Sequence, residues 1–183
     1  MIKFAAFSPD CESLGQGMMM FMTAITHDEF EGSLKKHGLD HVEMEKWYPQ
    51  QNWLDVLNDI AASDPGNASQ TFVSIGMKVI ETARFPAEIN NMDIYTLLSI
   101  WNNVYSTNHR GKDIGGMEYT KVSDKHIQMK IRIPFPDDLE YGVYWGIARR
   151  FLPPGTNFAV TYDEAAPRRE HGGPNTIIHV KWD

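Results

Sequence analysis

The chain has 183 residues, of which 42% are apolar and 22% charged, a composition that argues against disorder and allows a buried core. It carries 17 basic and 24 acidic residues, and this net charge of −7 argues against nucleic acid or an anionic membrane as a partner. A single cysteine, Cys11, excludes an internal disulfide. The charge-free apolar stretch at residues 13–26 is too short to span a membrane, and the N-terminus lacks a signal peptide's apolar core. We therefore predict one cytoplasmic domain covering residues 1–183.

The first 110 residues have mainly helical patterns. The methionine-rich run 18–22 has no clear period and fits either a buried helix or a strand, while the polar segment 27–37 predicts a helix that stops at Gly38. Pro49 suits the start of a further helix that ends at Asp64. Asn67 and Gln70 resemble the capping box of a third helix, whose apolar stripe runs from Phe72 to Ala83. An apolar face from Ile94 to Tyr105 predicts a fourth helix that ends near His109.

The period changes after residue 111. Residues 117–122 predict a strand, and from 127 to 133 apolar residues alternate strictly with polar ones, as in a strand with one buried face. A helix follows at 137–151, with Asp137 and Glu140 expected to cap it, and residues 158–162 and 176–182 predict two further strands. We therefore predict an α+β fold in which N-terminal helices pack on a C-terminal antiparallel sheet of about four strands with one inserted helix.

Residues that often carry chemistry do not form a recognised motif. His37 and His41 are four residues apart, but Gly38 lies between them, which favours a solvated turn over a metal site. The glycines match neither a phosphate-binding loop nor a hydrolase nucleophile turn. The acidic group near Asp137 is typical of a helix N-terminus. We predict no catalytic residues, no metal and no cofactor.

Aromatic residues and methionines are numerous, with five Trp, seven Tyr, nine Phe and ten Met. Ordinary core packing explains many of them. The alternative is an apolar pocket in which flat rings and adaptable methionines accept a ligand. The predicted ligand-binding residues lie on apolar helix faces and are Phe72, Ile75, Trp101, Tyr105 and Phe151.

The order of elements resembles a superfamily that includes 4-vinyl reductase-like domains, heme-containing nitric-oxide/oxygen-binding domains and TRAPP vesicle-tethering subunits. The segments that carry the resemblance, which covers roughly residues 38–182, are 38–40, 46–49, 53–54, 74–76, the strand 127–133, the helix 141–147 and the two closing strands. The resemblance implies a domain that binds or senses a small hydrophobic molecule and commonly pairs with itself.

The heme branch of that superfamily uses a Tyr-x-Ser-x-Arg motif and an axial histidine. The matching segment here, 131–135, has Ile131 and Ile133 in place of Tyr and Ser, and the nearest histidine is His109. The resemblance therefore implies a member without heme. The metal-binding cysteines of some vinyl-reductase-like domains are also missing, because Cys11 stands alone.

Three functions follow from these observations. The first is a non-enzymatic sensory or binding domain for a small hydrophobic molecule. The second is an enzyme acting on a small hydrophobic or tetrapyrrole substrate, with His109 or nearby carboxylates as acid–base groups, and the third is a scaffold subunit without a ligand. A homodimer is also predicted, because aromatic residues such as Tyr95, Tyr144 and Trp145 lie beside the main apolar helix faces and are expected to need a cover.

Overall fold

The computed structural model describes residues 4–24 and 27–183, and it confirms the predicted α+β class. The helices are α1 (Gly15–Met22), α2 (His27–Lys36), α3 (Gln50–Ser63), α4 (Ala68–Thr82), α5 (Ala87–Asn90), α6 (Ile94–Ser99), α7 (Trp101–Thr107) and α8 (Asp137–Phe151). In the described part of the chain, no helix is both long and apolar enough to cross a membrane.

The larger sheet is the predicted four-stranded antiparallel one. Its order is β4-β5-β7-β6, formed by β4 (Gly116–Ser123), β5 (His126–Arg132), β6 (Phe158–Tyr162) and β7 (Thr176–Trp182). The alternation predicted for the central strand is confirmed, because Ile127, Met129, Ile131 and Ile133 are each at most 2% exposed. This register fixes which side of the sheet faces the helices.

A second, three-stranded sheet was not predicted. Its order is β2-β1-β3, with β1 (Glu12–Leu14), β2 (Trp47–Pro49) and β3 (His109–Arg110). Strands of two or three residues are too short to show a period in the sequence. The sheet joins the N-terminus, the start of α3 and the segment after α7, and so places His109 beside the chain around Ser13.

Two local predictions were wrong. The apolar face 94–105 belongs to two helices rather than one, since the backbone leaves helical geometry at Ile100 between α6 and α7. The side chain of Asn67 does not cap α4; its Nδ2 donates to Asp64 Oδ2 at 2.8 Å. In both cases the residue type suited the predicted structure, but tertiary contacts selected another.

Helices α4 and α8 lie in direct backbone contact. A methyl group added at Gly76 would overlap the carbonyl oxygen of Leu139, and one added at Gly142 would overlap that of Val73. Glycine is needed at both positions because the two backbones approach too closely for a Cβ atom. This close packing leaves α8 buried along most of its length, between α4 and the sheet.

The aromatic residues that suggested a dimer pack against other parts of the same chain. Tyr144 is fully buried, and the rings of Tyr95 and Trp182 lie 5.4 Å apart. Trp145 packs edge-on against Phe158 at 5.2 Å. Tyr95 and Trp145 remain partly exposed, so side chains of β6 and β7 cover these helix faces only in part, and the homodimer stays a prediction.

Candidate functional site

A cavity of about 420 Å³ lies between α1, the start of α3, the end of α4, α7 and α8. Its wall is mainly apolar and contains six aromatic side chains, namely Phe21, Trp53, Phe85, Trp101, Tyr105 and Phe135. Several of these rings touch one another. The rings of Phe21 and Phe135 stack with centroids 6.3 Å apart, and Phe21 lies 5.9 Å from Trp53. The volume and the lining are typical of small-molecule pockets in proteins.

Two of the predicted ligand-binding residues lie in this wall. Trp101 begins α7 and Tyr105 lies one turn later, so the helical spacing points both side chains to the same side. The Tyr105 hydroxyl donates to the carbonyl of Ile114 at 2.6 Å, which satisfies its polar end and leaves the ring as an apolar surface.

The other three predicted residues lie elsewhere. Phe72 is buried and packs edge-on against Phe4 at 5.7 Å, and Ile75 is buried on α4, where it lines a separate polar groove. Phe151 lies behind the wall, 6.1 Å from the ring of Phe85. An apolar stripe in the sequence indicates burial, but it does not distinguish a residue packed against protein from one facing a void.

His109 is the histidine in the cavity wall. It lies in β3, its ring stacks on Tyr105 with centroids 4.2 Å apart, and its Nδ1 is 2.8 Å from the Tyr105 carbonyl oxygen. A carbonyl oxygen only accepts, so Nδ1 carries the proton and donates it. Burial lowers the pKa of His109 to about 4, against a smaller opposing effect of this hydrogen bond, so the ring is neutral at pH 7. Its Nε2 therefore keeps a free lone pair.

Glu140 places a carboxyl group in the same wall. It lies one turn into α8 and is 6% exposed, because α8 is enclosed on both sides. Its Oε2 has no hydrogen-bond partner among the described residues. Burial and then the nearby charge of Asp137 raise the pKa of Glu140 to about 8, partly offset by Arg169, so the carboxyl group is mainly protonated at pH 7.

Two further residues of the wall carry polar atoms that lack partners. Trp53 Nε1 and Ser13 Oγ are buried, and neither makes a hydrogen bond within the described part of the chain. Buried polar groups are nearly always satisfied in folded proteins, so unsatisfied ones call for an explanation. Sequence analysis missed Ser13, Trp53 and Glu140 as site residues, since nothing in their local patterns separates them from core or helix-cap residues.

The start of α8 is held by buried polar contacts rather than by the predicted side-chain cap. Asp137 Oδ1 accepts from Thr176 Oγ1 at 2.6 Å, and Asp137 Oδ2 accepts from the Glu170 backbone N–H at 3.2 Å. The Asp137 backbone N–H donates in turn to Glu170 Oε1. Arg169 donates to the carbonyl of Phe135 at 2.8 Å. These contacts fix Phe135 and the first turn of α8, and with them the position of Glu140.

The histidine pair considered as a metal site is not brought together. His37 Nε2 lies 2.9 Å from Asp59 Oδ2, whereas His41 is 94% exposed. Among the side chains that the structure describes, those of residues 4–24 and 30–183, no group of three or more histidine, cysteine, aspartate or glutamate residues has a geometry that could hold a metal ion.

The segment matched to the heme motif, 131–135, lies partly in the core of the sheet and partly in the cavity wall. Ile131 and Ile133 are buried in the core of the larger sheet. Arg132 is bound to Asp113 by two hydrogen bonds, at 2.8 and 2.9 Å, and lies over the ring of Phe7. These three residues lie outside the cavity wall, whereas Phe135, at the arginine position of the motif, lies in it.

The fold is shared with known proteins although the sequence is not. No protein-family model and no characterised protein matches the chain. Among solved structures, an oxygen-binding H-NOX domain related to soluble guanylate cyclases, in its oxygen complex, is 15% identical with a TM-score of 0.67 and 92% coverage of both chains. A variant of the T. tengcongensis H-NOX is 15% identical with a TM-score of 0.68, covering 91% of this chain and 95% of that one. At this identity the similarity shows that the chain has the fold of the H-NOX domains.

Proposed function

We propose that the protein is a non-enzymatic binding or sensory domain that holds a small, largely apolar molecule in the aromatic cavity. The observation that carries the proposal is the cavity itself, about 420 Å³ with six aromatic side chains in its wall. Burying an apolar ligand there would remove its surface from water, which is the main driving force for such binding. The shared fold with an oxygen-binding H-NOX domain supports a sensory role.

Filling the cavity tests this proposal. Val143 lines it, so Val143→Phe should weaken the binding of naphthalene, measured by isothermal titration calorimetry, by at least about tenfold. Val122→Phe is the matched control, because Val122 is 49% exposed on β4. Wild-type protein that does not bind naphthalene, or a Val143→Phe variant that binds as well as the control, would contradict the proposal.

Heme is the alternative suggested by the H-NOX fold, and the wall fits it in one respect. The imidazole of His109 is neutral, and its Nδ1 is held by a carbonyl, which is how metal-ligating histidines are usually oriented. The charges in the wall do not fit. The propionates of heme need cations, but the cation among the wall residues is Arg84, which is exposed, and Glu140 places a carboxyl group inside. We therefore propose a domain that functions without heme.

Hemin titration tests this part of the proposal. We expect no sharp Soret band from specific ligation in the wild-type protein. A stoichiometric band that is lost in His109→Ala and retained in His41→Ala would overturn it, since His41 is exposed and outside the cavity.

Acid–base catalysis on an apolar substrate is the second candidate. The specific observation in its favour is that Glu140 and His109 line one cavity and both have a shifted pKa. A protonated carboxyl group suits a general acid. The pKa of about 4 makes His109 a weak base at pH 7. We therefore favour a binding function over acid–base catalysis. Exchange of carbon-bound protons of a cavity ligand in D₂O, detected by NMR and lost in Glu140→Gln, would favour the enzyme.

The homodimer, the cytoplasmic location and the lack of a nucleic-acid partner stay predictions from the sequence. For the dimer, the support is the resemblance to a superfamily whose members commonly pair, together with the aromatic helix faces, which β6 and β7 cover only in part.

A further inference from the structure

We infer that the cavity selects apolar molecules that carry a neutral hydroxyl group, such as alcohols and phenols, and that up to three of the side chains of Ser13, Trp53, His109 and Glu140 bind this group, since a hydroxyl group makes at most three hydrogen bonds. The inference rests on the proposed binding function and adds the chemical class of the ligand. It starts from the polar atoms in a wall that is otherwise apolar.

The unsatisfied atoms define what the ligand must offer. Trp53 Nε1 carries a hydrogen and is buried without a partner, so it needs an acceptor. Nε2 of His109 carries a lone pair, because Nδ1 holds the proton, and it can accept from a donor. Ser13 Oγ serves as either donor or acceptor. A hydroxyl group both donates and accepts, so it satisfies groups of both kinds at once.

Glu140 decides the charge of the ligand. Its Oε2 is buried without a partner, and this end of α8 also holds the carboxyl groups of Asp137, Asp138 and Glu170, which are paired with Arg168 and Arg169. A carboxylate ligand would lose its water beside these carboxyl groups, and both arginines are already engaged by them. A protonated Glu140 offers one O–H donor and acceptor capacity, which a neutral hydroxyl group can meet without separating charge in an apolar cavity.

Ordered water is the competing explanation for these atoms. Buried waters often satisfy polar groups that have no protein partner. Water would satisfy the wall without any preference among ligands. A hydroxyl group attached to an apolar body replaces such a water and also fills the aromatic part of the cavity, which water does not.

Four probes with one naphthalene body test the inference by calorimetry at about pH 6, below the raised pKa of Glu140. They are naphthalene, 2-naphthol, 2-naphthoate and 2-(aminomethyl)naphthalene. We expect 2-naphthol to bind the wild-type protein about tenfold tighter than naphthalene, as expected for one buried hydrogen bond, and 2-naphthoate to bind most weakly. Tightest binding of the amine would overturn the inference in favour of a cationic ligand.

Variants assign the preference to the named groups. The ratio of the 2-naphthol and naphthalene affinities should fall to about one in Trp53→Phe and in Glu140→Leu. Glu140→Gln, which keeps donor and acceptor, should retain most of the preference. Trp145→Phe is the control, since Trp145 packs against Phe158 outside the cavity.

The outcomes separate the two proposals. If naphthalene and 2-naphthol both fail to bind, the proposed binding function fails. If both bind with equal affinity, only the hydroxyl preference fails, and ordered water or an apolar ligand accounts for the wall. A preference that survives in Trp53→Phe, Ser13→Ala and Glu140→Leu would show that other groups hold the hydroxyl, and would also overturn the inference.

Discussion

Glu140→Gln tests whether a buried, protonated carboxyl group controls the pH dependence of stability. The pKa of Glu140 is raised from its ordinary 4.5 to about 8 by burial, so the folded state holds a proton that the unfolded state loses at lower pH. The stability that depends on this proton is fully present below pH 4.5 and is lost as the pH rises through about 8. The wild-type protein should therefore become less stable over this range, and the variant should lack this contribution.

The size of the expected change in the free energy of unfolding follows from the shift in the pKa of Glu140. The pH range is chosen to avoid the titration of His109, which is also buried. The pKa of His109 is lowered by burial from 6.5 to about 4, so its contribution is lost as the pH falls below 6.5 and opposes that of Glu140 there. Above pH 6.5 the contribution of Glu140 to the free energy of unfolding falls by about 1.4 kcal/mol for each pH unit, and by less as the pH nears 8. Between pH 6.5 and 8, the free energy of unfolding should fall about 1.5 kcal/mol further in the wild type than in Glu140→Gln.

Urea unfolding followed by far-ultraviolet circular dichroism measures this difference at several pH values. Glu170 also has a raised pKa, to about 7 through burial, but it is present in both proteins and largely cancels in the comparison. Glu88→Gln, which changes an exposed carboxyl group on α5, should run parallel to the wild type. If wild type and Glu140→Gln also run parallel, the carboxyl group is hydrated or ionised in the folded protein, and the account of the cavity wall is refuted.

Three further predictions concern the core and the assembly. Ile131→Ala should lower the free energy of unfolding by about 2–5 kcal/mol in urea titrations, because Ile131 is fully buried in the sheet, and a loss below about 1 kcal/mol would contradict that register. Gly142→Ala should destabilise by at least about 1–3 kcal/mol, because the added methyl group overlaps the Val73 carbonyl, whereas Gly155→Ala, in an open turn at positive φ, introduces backbone strain without such an overlap and should cost less. Sedimentation equilibrium tests the homodimer, and a mass that stays near 20.9 kDa at all concentrations would refute it.

The sequence by itself determined the long elements of this fold. The strict alternation in β5 and the apolar stripes of α3, α4 and α8 report burial directly, because each periodicity follows from local backbone geometry. Alternating helices and strands would have given another class, so their segregation also predicted the α+β architecture.

Only the tertiary structure decided where the cavity lies and which side chains face it. Ser13, Trp53, His109 and Glu140 come from distant parts of the sequence and meet through the small sheet and the close approach of α4 to α8. Glu140 shows the physical reason most clearly. An acidic residue near a helix N-terminus is usually solvated, and here it is buried because glycine backbones bring a second helix onto α8. A local sequence pattern indicates that a residue is buried. Whether its side chain packs against protein or faces a cavity depends on packing between elements far apart in the chain.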